Sequence, residues 1–441
     1  MNEKRNLTVD YSQLLTQWAL VQPEKPCLIA DGRVYTYADV DARVESYARQ
    51  LQRVLPERGT ILIVRRGPFE QLVCFLGAEK AGLVPVLVHP DMTDTMARHL
   101  ARVRHIRYLD TGSIEAGSEE TMDLRDLCMG VLSSGTTGLP KLMFRTYESW
   151  AGFFPEQCRL FGIQAGTVAF TEGSMSFTGN LNVWASILYA GATLVMENVL
   201  RPKRWAERMK RHGVTYLYLV PVKLKLLLRT LDCAFPAVRT VMAGSQLLDG
   251  MTAMRLKRVF PESEIYLYYG ASELNYITSL TYEELLQHPM SVGRPCKGVR
   301  VFIRDGLIYI DSPYHVQGMP RPCTLNDAGY FDPDGYLIFE GRRGNVVNKG
   351  GLTISCAKVE QALMALPFVS DAVVLPCEDR ERGQEMAAFL VLKDAHGPAE
   401  IRSALLQRLL PAEIPRYFRR VEQLPLLGVG KVDDRALRKL L

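Results

Sequence analysis

The segment Leu132-Ser133-Ser134-Gly135-Thr136-Thr137-Gly138-Leu139-Pro140-Lys141 gathers four hydroxyls, two glycines and a lysine within residues 133–141. That set suits an oligophosphate. Glycine lets backbone N–H groups approach an anion, hydroxyls donate hydrogen bonds, and lysine neutralises charge. A flexible Ser/Thr/Gly surface turn has the same composition. It is not a Walker A loop, which needs four residues between its glycines and Gly-Lys-Ser/Thr at the end. A second cluster is Tyr268-Tyr269-Gly270-Ala271-Ser272-Glu273. Taken alone, its Glu273 could be a carboxylate at the start of a helix after a strand. Asp327, in Asn326-Asp327-Ala328-Gly329-Tyr330, could by itself be a turn residue. Lys431, in Gly428-Val429-Gly430-Lys431-Val432-Asp433, is flanked by glycines in a basic tail, where most lysines are merely solvated.

These residues need elements to hold them. Up to about residue 340, helical patterns alternate with short apolar runs: Tyr37 to Val54 then Thr60 to Val64, and Phe69 to Ala81 then Val84 to Val88. That rhythm predicts parallel sheets with crossover helices. Val214 to Val220, Val238 to Met242 and Ile265 to Tyr269 read as buried strands, and ligands collect beyond the carboxyl ends of such strands. Between Val301 and Phe339 the texture changes to short alternating strands with Asp-Gly turns, which predicts a small antiparallel sheet or barrel. A polar, glycine-containing stretch follows Gly341. The remaining pattern is a helix (Ala357 to Ala365), two strands (Asp371 to Leu375, Ala387 to Leu392), a helix (Pro398 to Leu410) and a basic tail. The expected domains are 1–342 and 343–441.

With 441 residues the chain exceeds what one hydrophobic core usually supports, so two or more packed domains are expected. It is 47% hydrophobic and 23% charged, which excludes disorder, collagen and small disulfide scaffolds. The net charge of +5 is not collected into a run, so a nucleic-acid footprint is not supported. Nine cysteines without a CxxC pair argue for a reducing compartment. The polar first residues and the lack of any apolar run near 18 residues give no signal peptide or membrane span, and a cytoplasmic location is expected.

SSGTTGLPK resembles the phosphate-binding signature of the adenylate-forming superfamily, which includes acyl-CoA synthetases, peptide-synthetase adenylation domains and luciferases. Further matches follow in the family's order from about Tyr11 to Leu441. The resemblance implies that Ser133, Ser134, Gly135, Thr136, Thr137, Gly138 and Lys141 hold ATP phosphates. In the Tyr-Gly-x-Thr-Glu-like segment it implies that Tyr269 stacks on adenine, the Ser272 hydroxyl meets the α-phosphate and Glu273 holds Mg²⁺, with Gly270 and Ala271 also at the bound ATP. Gly244 and Ser245, in Ala243-Gly244-Ser245-Gln246, would line adenine and the acyl pocket. Asp327 would bind the ribose hydroxyls and Arg342 add a ribose or phosphate contact. Lys431 would be the catalytic lysine of a mobile lid, stabilising charge at the α-phosphorus. Gly350 and Gly351 would line a pantetheine tunnel, and Gly344 would stand at the hinge.

The implied fold is α/β: a large N-terminal domain of doubly wound β/α subdomains plus a small β-barrel, and a smaller α+β C-terminal lid. The implied reaction is ATP- and Mg²⁺-dependent activation of a carboxylic acid, then transfer to a thiol, with coenzyme A the expected acceptor. Some positions depart from the family pattern. Leu142 replaces a glycine, Tyr147 a histidine, and Leu325 and Asn326 the residues before Asp327. Phe177 stands where many acyl-CoA synthetases have an aromatic or histidine gate, with Gly179 and Asn180 beside it in the expected acyl pocket. That segment has no aspartate of the kind amino-acid-activating members use, so a non-amino acid is expected. The short stretch between Pro90 and Ser133 leaves room for support by a homodimer. Two alternatives remain at this point: loading of an acyl-carrier protein's phosphopantetheine, and a catalytically silent nucleotide-binding protein.

Overall fold

Thr60–Ile63 and Val84–Leu87 pair in parallel because the helix Pro68–Lys80 returns the chain between them. Its proline sits in the first turn, where no intrahelical N–H is needed, and the Glu70 carboxylate accepts from the Gly67 N–H at 3.1 Å. The preceding helix, Tyr37–Val54, is closed by reciprocal bonds between Thr36 and Asp39. The computed structural model describes residues 10–55, 57–119, 123–133, 140–342, 346–349, 352–379, 383–427 and 432–441.

A six-stranded sheet runs in the order Ile114–Ala116, Tyr108–Asp110, Thr60–Ile63, Val84–Leu87, Leu127–Ser133, Lys141–Thr146. A larger sheet has parallel strands Pro26–Ala30, Thr193–Glu197, Val168–Glu172, Tyr216–Tyr218, Thr240–Gly244 and Glu264–Ala271 side by side. It then turns antiparallel at Asn275–Thr281. Ser291–Pro295 bonds both to that strand and to Leu337–Arg342, so the antiparallel strands expected after Val301 continue the parallel sheet. The first of their hairpins, Arg300–Arg304 with Leu307–Asp311, closes at Asp305-Gly306 with φ of +49° and +72°, as the Asp-Gly signal predicts. One core joins the two large sheets, with Ile61 and Met129 from one and Met242, Tyr268 and Ile277 from the other.

The smaller C-terminal domain has a hairpin, Val346–Lys349 with Leu352–Ser355, and a three-stranded sheet of Val369–Asp379, Gly383–Leu392 and Tyr417–Arg420. Its own core includes Val359, Leu363, Val374, Ala388 and Leu405. The helix expected to reach Leu410 ends at Leu405. Pro411 disfavours helical backbone at the residue before it, and Leu410 takes the extended conformation with ψ of 152°. Likewise Val214 to Val220 shortens to Tyr216–Tyr218, since Val220 already caps the helix Pro221–Leu228. Among the described residues no helix is long and apolar enough to cross a membrane.

Candidate active site

Thr240–Gly244 and Glu264–Ala271 run side by side with Gly244 opposite Tyr268. A Cβ on Gly244 would lie 2.1 Å from the Tyr268 ring, so the position admits only glycine. Ser245 follows with φ of +69°, turning the chain out of the sheet. Tyr268 and Tyr218 share a hydroxyl–hydroxyl bond of 2.9 Å, and the Tyr218 hydroxyl fills the space a Cβ on Gly179 would need, at 2.2 Å. Around this point lies a cavity of about 100 Å³ lined by Phe177, Thr178, Gly179, Asn180, Ser245 and Ser272, among others. The expected pocket residues Phe177, Gly179 and Asn180 therefore share one space with Ser245 and Ser272.

Residues 272–274 double the chain back into the antiparallel strand Asn275–Thr281, with Asn275 at φ of +63°. No helix begins at Glu273, so its carboxylate is not a helix-start group. The Ser272 and Thr178 hydroxyls lie 2.8 Å apart, and the Glu273 carbonyl accepts from the Val316 N–H at 2.9 Å. Gly270 is required here too, because a Cβ would meet the Asn275 carbonyl at 2.5 Å. Beneath the turn, the fully buried Arg145 donates to the carbonyls of Ser272 (2.6 Å), Tyr314 (3.1 Å) and Ser149 (3.1 Å). Burial pulls its guanidinium down to about 10, opposed by the nearby Cys128, Tyr11 and Glu273. Arg145 belongs to Lys141–Thr146, the strand that begins at the expected phosphate lysine. One guanidinium thus ties that strand to the Ser272-Glu273 turn.

Asp327 lies within the strand Cys323–Phe331 rather than at a turn, is 4% exposed, and accepts from the Tyr269 hydroxyl at 2.5 Å. Its cross-strand partner is Arg342, which brings the two expected ribose-side residues opposite each other. Asn326 before it takes φ of +62°, a conformation asparagine tolerates better than most residues. Ser133 pairs with Lys141 across the strands flanking the expected phosphate segment, and Lys141 is exposed. Ser134, Gly135, Thr136, Thr137, Gly138, Gly344, Gly350, Gly351 and Lys431 lie outside the described residues.

Sequence reasoning missed several groups. Arg145 was legible only as a charge closing the apolar run Leu142 to Phe144. Glu172 and Lys223 form a buried ion pair that lines the cavity, each a charge at the edge of an apolar run. The Tyr147 hydroxyl donates to the buried Glu79 carboxylate, which also accepts from the Ser12 N–H at 2.7 Å. Burial, aided by Asp10, pushes the Glu79 carboxyl up to about 8. Elsewhere His288, Asp332 and Asp334 offer ligand atoms within 4.8 Å of one another. There His288 stacks on Tyr336 at 3.9 Å, and the Arg294 guanidinium lies 4.2 Å over the same ring, a positive charge that opposes a cation.

Parallel strands whose carboxyl ends carry a cavity ringed by hydroxyls and a Glu–Lys ion pair define a ligand-binding α/β fold. The profile of the AMP-binding enzyme family matches residues 15–111 and 103–310, and that of the AMP-binding enzyme C-terminal domain matches 358–431. The chain belongs to this family of adenylate-forming enzymes and is an AMP-forming ligase that activates an acid with ATP. It is 25% identical to the uncharacterized acyl-CoA ligase YhfT of Bacillus subtilis (strain 168), over 96% of each chain. It is also 25% identical to tyrocidine synthase 3 of Brevibacillus parabrevis, over 97% of this chain but only 8% of that protein. In fold it is similar to o-succinylbenzoate CoA synthetase from Bacillus subtilis in complex with an acyl-adenylate, with a TM-score of 0.82 and 21% identity. That likeness covers 96% of this chain and 97% of the other.

Proposed function

We propose that this ligase converts a non-amino carboxylic acid to its acyl-adenylate and passes the acyl group to the thiol of coenzyme A. The observation that carries this reading is the Arg145 tie, which sets the strand beginning at Lys141 against the Ser272-Glu273 turn, beside the acyl cavity. In the first half-reaction a carboxylate oxygen attacks the α-phosphorus of ATP and pyrophosphate departs with the broken P–O bond. The segment from Ser133 to Lys141 neutralises the phosphates, and Lys431 stabilises the charge that grows at phosphorus. Asp327, oriented by Tyr269, accepts from the ribose diol, with Arg342 opposite it. Glu273 offers the hard oxygen donor that Mg²⁺ prefers, and the ion would offset charge on the phosphate oxygens. In the second half-reaction the thiol attacks the acyl carbon, a thioester bond forms, AMP leaves with the broken anhydride bond, and the thiol proton is released.

The domains 1–342 and 343–441 then act as body and lid, with Gly344 at the hinge and Gly350 and Gly351 in the thiol tunnel. An amino acid is disfavoured because the carboxylate in the cavity wall, Glu172, is already paired with Lys223. Likeness to a segment of tyrocidine synthase 3 supports a second reading, in which the acceptor is a carrier-protein phosphopantetheine. Incubation with ATP, Mg²⁺, an acid library and either coenzyme A or a purified phosphopantetheinylated carrier separates them. AMP with acyl-CoA is the expected result. Acylation of the carrier alone supports the second reading, and ATP binding without AMP from any acid identifies a silent nucleotide-binding protein.

A further inference from the structure

Glu172 ends the parallel strand Val168–Glu172, and Lys223 stands in the first turn of the helix Pro221–Leu228. Their side chains are 5% and 6% exposed and form an ion pair in the wall of the cavity that also carries Phe177 and Ser272. The charges around the pair are balanced. Glu197, the next carboxylate, is held by Arg204 at 3.1 Å and Arg208 at 3.0 Å. His89, whose ring centre lies 5.4 Å from that of Phe177, has its pKa lowered chiefly by burial, with Asp91 opposing and Lys223 adding to the effect.

Two opposite charges taken out of water are well compensated only when their remaining lone pairs and protons also find partners. An ammonium has three donors and a carboxylate several acceptor sites, so one mutual contact does not exhaust either group. A hydrocarbon acyl chain closing the cavity would strip water from the pair and return nothing. A second carboxylate would satisfy Lys223 but oppose Glu172, and an ammonium would do the reverse. A neutral group that both donates and accepts satisfies both partners at once. The space of about 100 Å³ is well below the ~300–1,000 Å³ of pockets for drug-sized ligands, which disfavours long acyl chains.

We propose that the acid activated here is compact and carries a neutral donor–acceptor group, a hydroxyl or carboxamide, that bonds to the Glu172–Lys223 pair. The inference rests on the acid-activating reading above and names the substrate class of that same site. It is tested by pyrophosphate release from ATP with matched acids differing in one polar group. Suitable sets are benzoate against the hydroxybenzoates, butyrate against 3-hydroxybutyrate, and pentanoate against succinamate, with octanoate as a long-chain control. The expected result is a kcat/KM at least tenfold higher for a polar member of one set than for its plain analogue. The double variant Glu172→Leu with Lys223→Met brings that ratio to one or reverses it while still turning over the plain acid. Plain acids that match or beat their polar analogues in every set overturn the proposal, as does a folded double variant that keeps the preference. Should the double variant not fold, the wild-type ratios alone decide. Release with plain acids only leaves the acid-activating reading standing and overturns this one, whereas release with no acid breaks that reading and takes this inference with it.

Discussion

Around the cavity, Arg145, Asp327, Glu172 and Lys223 are each buried and each bonded inside the large domain. Where the two domains meet, the contacts are of another kind. Lys225 of the large domain lies 3.3 Å from Asp249 of the same domain and 3.6 Å from Asp371 of the small one, with side chains about a fifth exposed. The Ser355 hydroxyl donates to the Glu340 carbonyl, and the helix Cys356–Met364 follows at once. Breaking a buried, bonded charge leaves a group that water cannot reach, whereas a partly exposed bridge can exchange its partner for solvent at lower cost. The buried bonds of the site thus all lie inside one domain, whereas the Lys225 bridge to the other is partly exposed.

The largest expected effect strikes the buried side. Arg145→Met strands three carbonyl acceptors and should lower stability by about 3–5 kcal/mol in urea unfolding, with Arg145→Lys recovering part of it. A loss below about 1 kcal/mol would show that the guanidinium does not organise the turn.

Next in size is a pH effect. The carboxyl of Glu79 is raised to about 8 in the folded chain, against 4.5 for the ordinary group. Between these values the folded state holds a proton that the unfolded state has released, so stability falls as pH rises through this window. The slope is up to about 1.4 kcal/mol per pH unit. Thermal unfolding followed from pH 5 to pH 8 should show that decline, and Glu79→Gln should flatten it. An unchanged slope in the variant would assign the decline to other groups.

The smallest effect belongs to the domain contact. Lys225→Ala should cost about 1 kcal/mol or less. Measured separately, the two half-reactions should change by about fivefold or less. A larger change would mean that the bridge sets the lid position rather than merely touching it.

Much of this was readable along the chain where the signal is local. The Asp305-Gly306 turn, the helices that follow Thr36 and Gly67, and the strand before Gly244 all follow from residues within a few positions of one another. The candidate site segments could be singled out because their glycines and hydroxyls lie together in sequence. What stayed hidden depends on partners far apart. Glu172 and Lys223 are separated by several elements, Arg145 reaches Ser272 across 127 residues, and Tyr147 finds Glu79 across 68. A charge in an apolar run announces a buried partner without saying which one. The continuity of the long sheet through Ser291–Pro295 was hidden for the same reason, since pairing across crossovers leaves no mark in either strand alone.

The central claim, that an acid is adenylated in this cleft with a lysine brought by the small domain, is tested most directly by acid-dependent ATP–pyrophosphate exchange in the wild type and in Lys431→Ala. The account predicts exchange with at least one carboxylic acid and its loss by about two or more orders of magnitude in the variant, while thioester formation from a supplied acyl-adenylate persists. Equal loss in both half-reactions, or no exchange from a wild type that binds ATP, would contradict it.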